Sequence, residues 1–172
     1  MFLTDLLYNP LFLAPAFGWC VAQVTKLILY LIINREFRLE RMFGDGGMPS
    51  AHSATVSALV VAAAMRYGAG GFELPMAGFF AFIVMHDAMG VRRETGRQAE
   101  VINDMVEEFK RMNAKGFATT EDLKELVGHT PLQVLVGSLL GIVVGWIVCS
   151  MIVFFFINAA ELSGKRKKRD VS

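Results

Sequence analysis

The sequence predicts an all-α integral membrane helical bundle of about four transmembrane helices, with an amphipathic helical connection before the last. Three observations predict it. The chain is 54% hydrophobic and 19% charged, with mean hydropathy +0.46, whereas soluble domains carry about a quarter charged residues. Four stretches are long and apolar enough to cross a bilayer, which takes about 20 helical residues each. Polar residues that are costly in lipid gather where those stretches begin and end. The 172 residues form one expected domain.

The expected spans are residues 11–33, 50–67, 74–91 and 131–158. The second is rich in Ala, Val and Ser. In the fourth, Gly137, Gly141 and Gly145 recur every fourth residue on one helical face, the pattern of close helix–helix packing. Residues 34–48 are charged and end in Gly44, Asp45, Gly46 and Gly47, a flexible approach to the second span. Residues 68–73 make a short turn. Within 92–130, Val101, Met105, Val106 and Phe109 recur at helical spacing among charged residues, so an amphipathic helix should continue from the third span. Thr119-Thr120-Glu121-Asp122 should cap a second short helix ending at Gly128.

Net charge is only +1, which gives no reason to expect a nucleic-acid partner. The dense basic run Lys165–Arg169, within a tail at 164–172, reads as a membrane-flanking anchor able to attract anionic lipid. Cys20 and Cys149 lie in apolar stretches and should pack as small hydrophobes, with no disulfide or zinc spacing. Met1–Leu7 has no basic n-region, so the first span is expected to be retained.

Four alternating spans bring the end of the first, the start of the second, the end of the third and the start of the fourth to one membrane face. Four groups of residues collect there. Met48-Pro49-Ser50-Ala51-His52-Ser53-Ala54-Thr55 opens the second span. Pro and Ser suit a helix start, and the free N–H groups there suit phosphate. His52 at the mouth of that span can act as a proton donor. Gly128-His129-Thr130-Pro131-Leu132-Gln133 opens the fourth. His129 can be a nucleophile, and Gln133, one turn on, can hold its imidazole N–H. Lys26 sits about 12 Å of helix inside the first span. It either snorkels to the interface or turns its charge inward to a phosphate, with Gln23 near the same helical face. His86-Asp87-Ala88-Met89-Gly90-Val91-Arg92-Arg93 closes the third span. Arg92 and Arg93 either mark the membrane edge or clamp phosphate. Asp87 can hold Lys26, hold an arginine or bind a metal ion. Arg97, Gln98 and Asn103 continue that helix toward site or solvent.

These motifs carry a family likeness. Gly46-Gly47-Met48-Pro49-Ser50-Ala51-His52-Ser53-Ala54-Thr55, then Asp87-Ala88 with Gly90-Val91-Arg92-Arg93, Gly96 and Gln98-Ala99, then Gly128-His129-Thr130-Pro131 with Val134 and Gly137, resemble the divergent branch of the type 2 phosphatidic acid phosphatase superfamily. The vanadium haloperoxidases are related to it. The likeness covers residues 11–146. It implies that Ser50 and nearby backbone bind phosphate, that His52 is the general acid, and that His129 becomes phosphohistidine. Lys26 matches the lysine that neutralises phosphate. The likeness implies no metal and no cofactor, with vanadate as a transition-state mimic.

The chain departs from the superfamily pattern at several positions. Ile33 and Asn34 stand where Arg and Pro follow the lysine, and Ala51 replaces a glycine. Leu123 stands where an arginine precedes the nucleophile, and Gln133 where an acid follows it. Arg92 or Arg93 is expected to supply the missing charge, with Asp87, Gln133 and Gln98 in support.

The expected activity is hydrolysis of a lipid phosphomonoester or pyrophosphate, such as phosphatidylglycerophosphate, phosphatidic acid or isoprenyl pyrophosphate. The alternatives are a protein that binds or moves a lipid phosphate or anion without hydrolysis, and an adaptor docking a partner through residues 92–127. The expected partners are the substrate and membrane lipids. Four helices enclose a lipid thinly, which is compatible with a homodimer. The expected location is a bacterial plasma membrane. Arginines following the first span place the site face in the cytoplasm, while the basic tail argues the reverse.

Overall fold

The computed structural model describes residues 2–37, 47–112, 123 and 128–169, with the backbone alone at 2–3, 156–157 and 159–169. The expected short helix over 119–127 and the loop glycine Gly46 lie outside these residues, apart from Leu123. Six helices, α1 Phe2–Leu7, α2 Pro10–Asn34, α3 Ala51–Tyr67, α4 Glu73–Met89, α5 Val91–Arg111 and α6 Pro131–Arg169, make up the regular structure among the described residues. The fold is an all-α membrane bundle.

Local chemistry fixes the helix boundaries. Asn9 caps α2, its side-chain oxygen accepting from the Leu11 N–H at 2.9 Å, and Pro10 fills the first helical position. Arg35 ends α2 in the left-handed region at φ 54°. Gly90 separates α4 from α5 while still donating its N–H to the His86 carbonyl. The amphipathic helix is therefore a direct continuation of the third span, as its periodicity predicts. Its Val101, Met105 and Phe109 are exposed, and Gly96 and Ala99 are its buried residues. The last helix is longer than its apolar stretch. It runs on as helix through Arg169, where the sequence predicts an end at 158.

The bundle is built around α3, which packs against α2, α4 and α6. Its buried face is Ala51, Ser53, Ala54, Val56, Ser57, Ala58, Ala62 and Ala63. The large apolar side chains point the other way: Ile33, Phe79, Phe82 and Phe154 are all strongly exposed. Small residues inside and large ones outside is the arrangement of helices that pack closely in lipid, where bulky apolar groups gain nothing from turning inward.

The glycines of α6 complete the packing. A Cβ on Gly137 would strike the Ser50 backbone, one on Gly141 the Ala54 backbone, and one on Gly145 would lie 2.9 Å from the Ala58 Cα. From α2, a Cβ on Gly18 would lie 3.0 Å from the Ala54 carbonyl oxygen, the same atom that a Cβ on Gly141 would strike. Steps of four on α6 thus match steps of four on α3.

By length and hydropathy, α2, the α4–α5 run and α6 can each cross a membrane. The second expected span, α3, has 17 residues, about 25 Å of helix. It falls just short by the same measure, and residues 51–63 are buried or half-buried against its neighbours.

Candidate functional site

Three chain segments meet at the face where α3 and α6 begin. Ser50 caps α3: its Oγ accepts from the Ser53 N–H at 3.3 Å and from the Ser53 hydroxyl at 3.0 Å. The Ser50 N–H donates to the Gln133 carbonyl on α6 at 3.1 Å. The His129 N–H donates to the Ala88 carbonyl near the end of α4 at 2.9 Å. Gly128 makes this last contact feasible. Its φ is +90°, and a Cβ there would strike the backbone of Arg92 and Arg93, so a side chain is excluded on both counts.

The start of α6 is a capping box. Gln133 Oε1 accepts from the Thr130 N–H at 3.0 Å, and the Gln133 N–H donates to Thr130 Oγ1 at 3.3 Å. This bond fixes which end of the amide is oxygen, because a backbone N–H needs an acceptor. The same Oε1 lies 3.3 Å from His129 Nδ1. An amide oxygen can only accept, so a bond here requires the proton on Nδ1. The lone pair then resides on Nε2, the tautomer a nucleophilic imidazole needs.

His52, half-buried on the first turn of α3, faces His129, which is buried. Their ring centroids are 5.8 Å apart and the planes are inclined at 62°. The two histidines therefore converge, each beside a helix N-terminus whose partial positive charge favours an anion.

The structure places the other predicted residues as follows. Lys26 is only 8% exposed on the inner side of α2, so its charge turns into the bundle. Its stem borders Gly47, where a Cβ would lie 3.6 Å from Lys26 Cδ. Asp87 takes an arginine: Arg92 Nε donates to its Oδ2 at 2.9 Å, with both side chains 44% exposed. Arg93 is exposed and makes no ion pair with a described residue. Gln98 is exposed on α5, outside this cluster. Among the described residues no group of three His, Cys, Asp or Glu could hold a metal ion.

One long-range contact has no signal in the sequence. Asn103 on α5 donates through Nδ2 to the Leu123 carbonyl and accepts at Oδ1 from the Leu123 N–H, both at 2.9 Å. A side chain gripping a backbone 20 residues away leaves no periodicity to read. It anchors the chain six residues before His129, at the position where the superfamily pattern has an arginine.

A family model described as "Divergent PAP2 family" matches residues 7–144. The chain belongs to this family. The match takes in every residue of the cluster and stops within α6, before the basic tail. The divergent PAP2 chain is also 37% identical over 161 residues to the uncharacterized membrane protein YuiD of Bacillus subtilis (strain 168), an overlap of 89% of this chain and 99% of that protein. No solved structure matches the chain.

Proposed function

We propose that this protein is a membrane lipid-phosphate phosphatase that passes the phosphoryl group through His129. The observation that carries this reading is the convergence of His52 and His129 at the mouths of α3 and α6, with ring centroids 5.8 Å apart. Substrates of suitable chemistry are phosphatidylglycerophosphate, phosphatidic acid and isoprenyl pyrophosphate.

In this reaction His129 Nε2 attacks phosphorus while the P–O bond to the leaving group breaks. His52 gives its proton to the departing oxygen. Water then attacks the phosphohistidine, His52 takes back a proton, and inorganic phosphate leaves with Nε2 restored. Gln133 holds the nucleophile's tautomer. Lys26 and the N-terminus of α3 offset the charge gathering on the phosphoryl oxygens. Of the two arginines expected to help, Arg93 suits the role better, since Asp87 already engages Arg92. In this proposal the site face lies in the cytoplasm, because Arg35, Arg38 and Arg41 follow the first span.

Gln133 also favours a second reading. Where the superfamily pattern has an acid, a neutral amide stabilises a positive imidazole less, which suits a protein that binds a lipid phosphate without cleaving it.

Phosphate release by purified protein in mixed micelles separates the two. Release should resist chelator, be blocked by vanadate, and fall at least about 10³-fold in His129→Ala. A folded His129→Ala protein with full turnover would sink the mechanism, and release abolished by chelator would replace it with a metal-dependent one. Tight lipid binding without release would favour the second reading.

A further inference from the structure

Among the described residues, the side-chain polar atom that is fully buried without a hydrogen-bond partner is Gln23 Oε1. An orphaned buried acceptor is costly, because its lost hydration is not replaced, and native structures rarely leave one unexplained. Inside a membrane there is no bulk water to satisfy it.

Its position suggests what does. Gln23 is 7% exposed and Lys26 is 8% exposed, one turn apart on α2, so both turn into the bundle. The adjacent Ala22 packs with Ala51 and Ala54 of α3, the residues on either side of His52 and Ser53. One turn deeper, Gly18 abuts Ala54 and Ala58. Gln23 therefore stands level with the first two turns of α3, about 4.5 Å further into the membrane than Lys26. A lipid whose phosphate sits by Lys26 and His129, with its tails directed inward, draws the carbons just beyond its phosphoester past Gln23.

An amide oxygen can only accept a hydrogen bond. Ester carbonyls, hydrocarbon and deprotonated phosphate oxygens offer it nothing, whereas a hydroxyl does. We propose that Gln23 is a specificity-determining residue that accepts a hydrogen bond from a hydroxyl one carbon beyond the carbon bearing the scissile phosphoester, so that the protein selects hydroxyl-bearing lipid phosphomonoesters. Phosphatidylglycerophosphate carries such a hydroxyl. Phosphatidic acid and isoprenyl pyrophosphate do not. The proposal rests on the phosphate site assigned above and names its substrate class.

The test compares phosphatidylglycerophosphate with its 2′-deoxy analogue, in mixed micelles, for the unaltered protein and Gln23→Leu. The unaltered protein should favour the hydroxyl-bearing lipid by about 10- to 100-fold in kcat/KM. Gln23→Leu should lose that factor on the hydroxyl-bearing lipid and keep its rate on the analogue, so the two substrates converge. Equal losses on both, or no preference in the unaltered protein, would overturn the proposal, and the second of these needs no variant to fold. Equilibrium binding of the same two lipids to His129→Ala, with and without Gln23→Leu, separates this proposal from hydrolysis. Without any turnover, a binding preference that Gln23→Leu erases upholds the role of Gln23 while hydrolysis falls. Equal binding of both lipids overturns it.

Discussion

At the scale of single residues, the chemistry turns on one oxygen. Gln133 Oε1 caps the first turn of α6 and touches His129 Nδ1, so one atom both starts a helix and sets a tautomer. The sequence makes this partly legible: His129 and Gln133 lie one turn apart at a Pro-marked helix start. It does not reveal that the Thr130 N–H fixes the amide's orientation. The two functions can be separated, because Glu serves the same capping position as Gln. Gln133→Glu should keep the cap and add a charge that stabilises the positive imidazole, raising kcat for phosphate release about tenfold. An unchanged or lower kcat in folded protein would show that His129 needs no charged partner. Gln23 and Lys26 show the limits of sequence at this scale. Their spacing places them near one helical face, but only the packing of α2 against α3 reveals that both are buried and that one oxygen lacks a donor.

At the scale of helices, α6 and α3 mesh through matched small residues. The spacing of Gly137, Gly141 and Gly145 announces a close contact, while its partner, the series Ser50, Ala54 and Ala58, emerges only from the fold. Because Ser50 belongs to that series and also caps α3, the glycine contact helps set the site. Gly141→Val would drive its side chain into the Ala54 backbone, which cannot yield as a flexible side chain would. Such overpacking costs about 1–3 kcal/mol or more, so the variant should lose thermal stability in detergent and lower phosphate release with it. Gly78→Ala is the matching control. Gly78 has open space around it on α4, and Ala in place of Gly in a helix interior should stabilise by about 0.5–1 kcal/mol. Equal stability of the two variants would refute the meshed contact. The end of α6 is the feature of this scale that hydropathy misjudges. The apolar stretch ends near 158, yet helix geometry continues to Arg169, since the Ala, Glu, Leu, Lys and Arg that dominate residues 159–169 are good helix formers.

At the scale of the whole molecule, alternating crossings explain why residues more than 70 positions apart in sequence, such as His52 and His129, share one place. That inference needs only the number and direction of the spans, which is why the meeting of these two histidines was legible in the sequence. The grip of Asn103 on Leu123 was not, because it depends on where a long connection returns. The sidedness assigned to the site face predicts a labelling pattern. With Cys20 and Cys149 replaced, a cysteine at Gly70, in the turn between α3 and α4, should react with an impermeant thiol reagent on intact cells. One at Glu100 on α5 should react only after permeabilisation, and the reverse pattern would turn the protein over. The covered position of α3 has a consequence for biogenesis. Lipid accepts a helix on its apolarity alone, and α2, α4 and α6 have it, whereas α3 is short, rich in Ala and Ser, and carries His52 at its mouth. Such a segment gains little by entering the bilayer unaccompanied. It partitions stably only when α2, α4 and α6 are there to receive it, so membrane insertion and assembly of the histidine cluster become a single cooperative event.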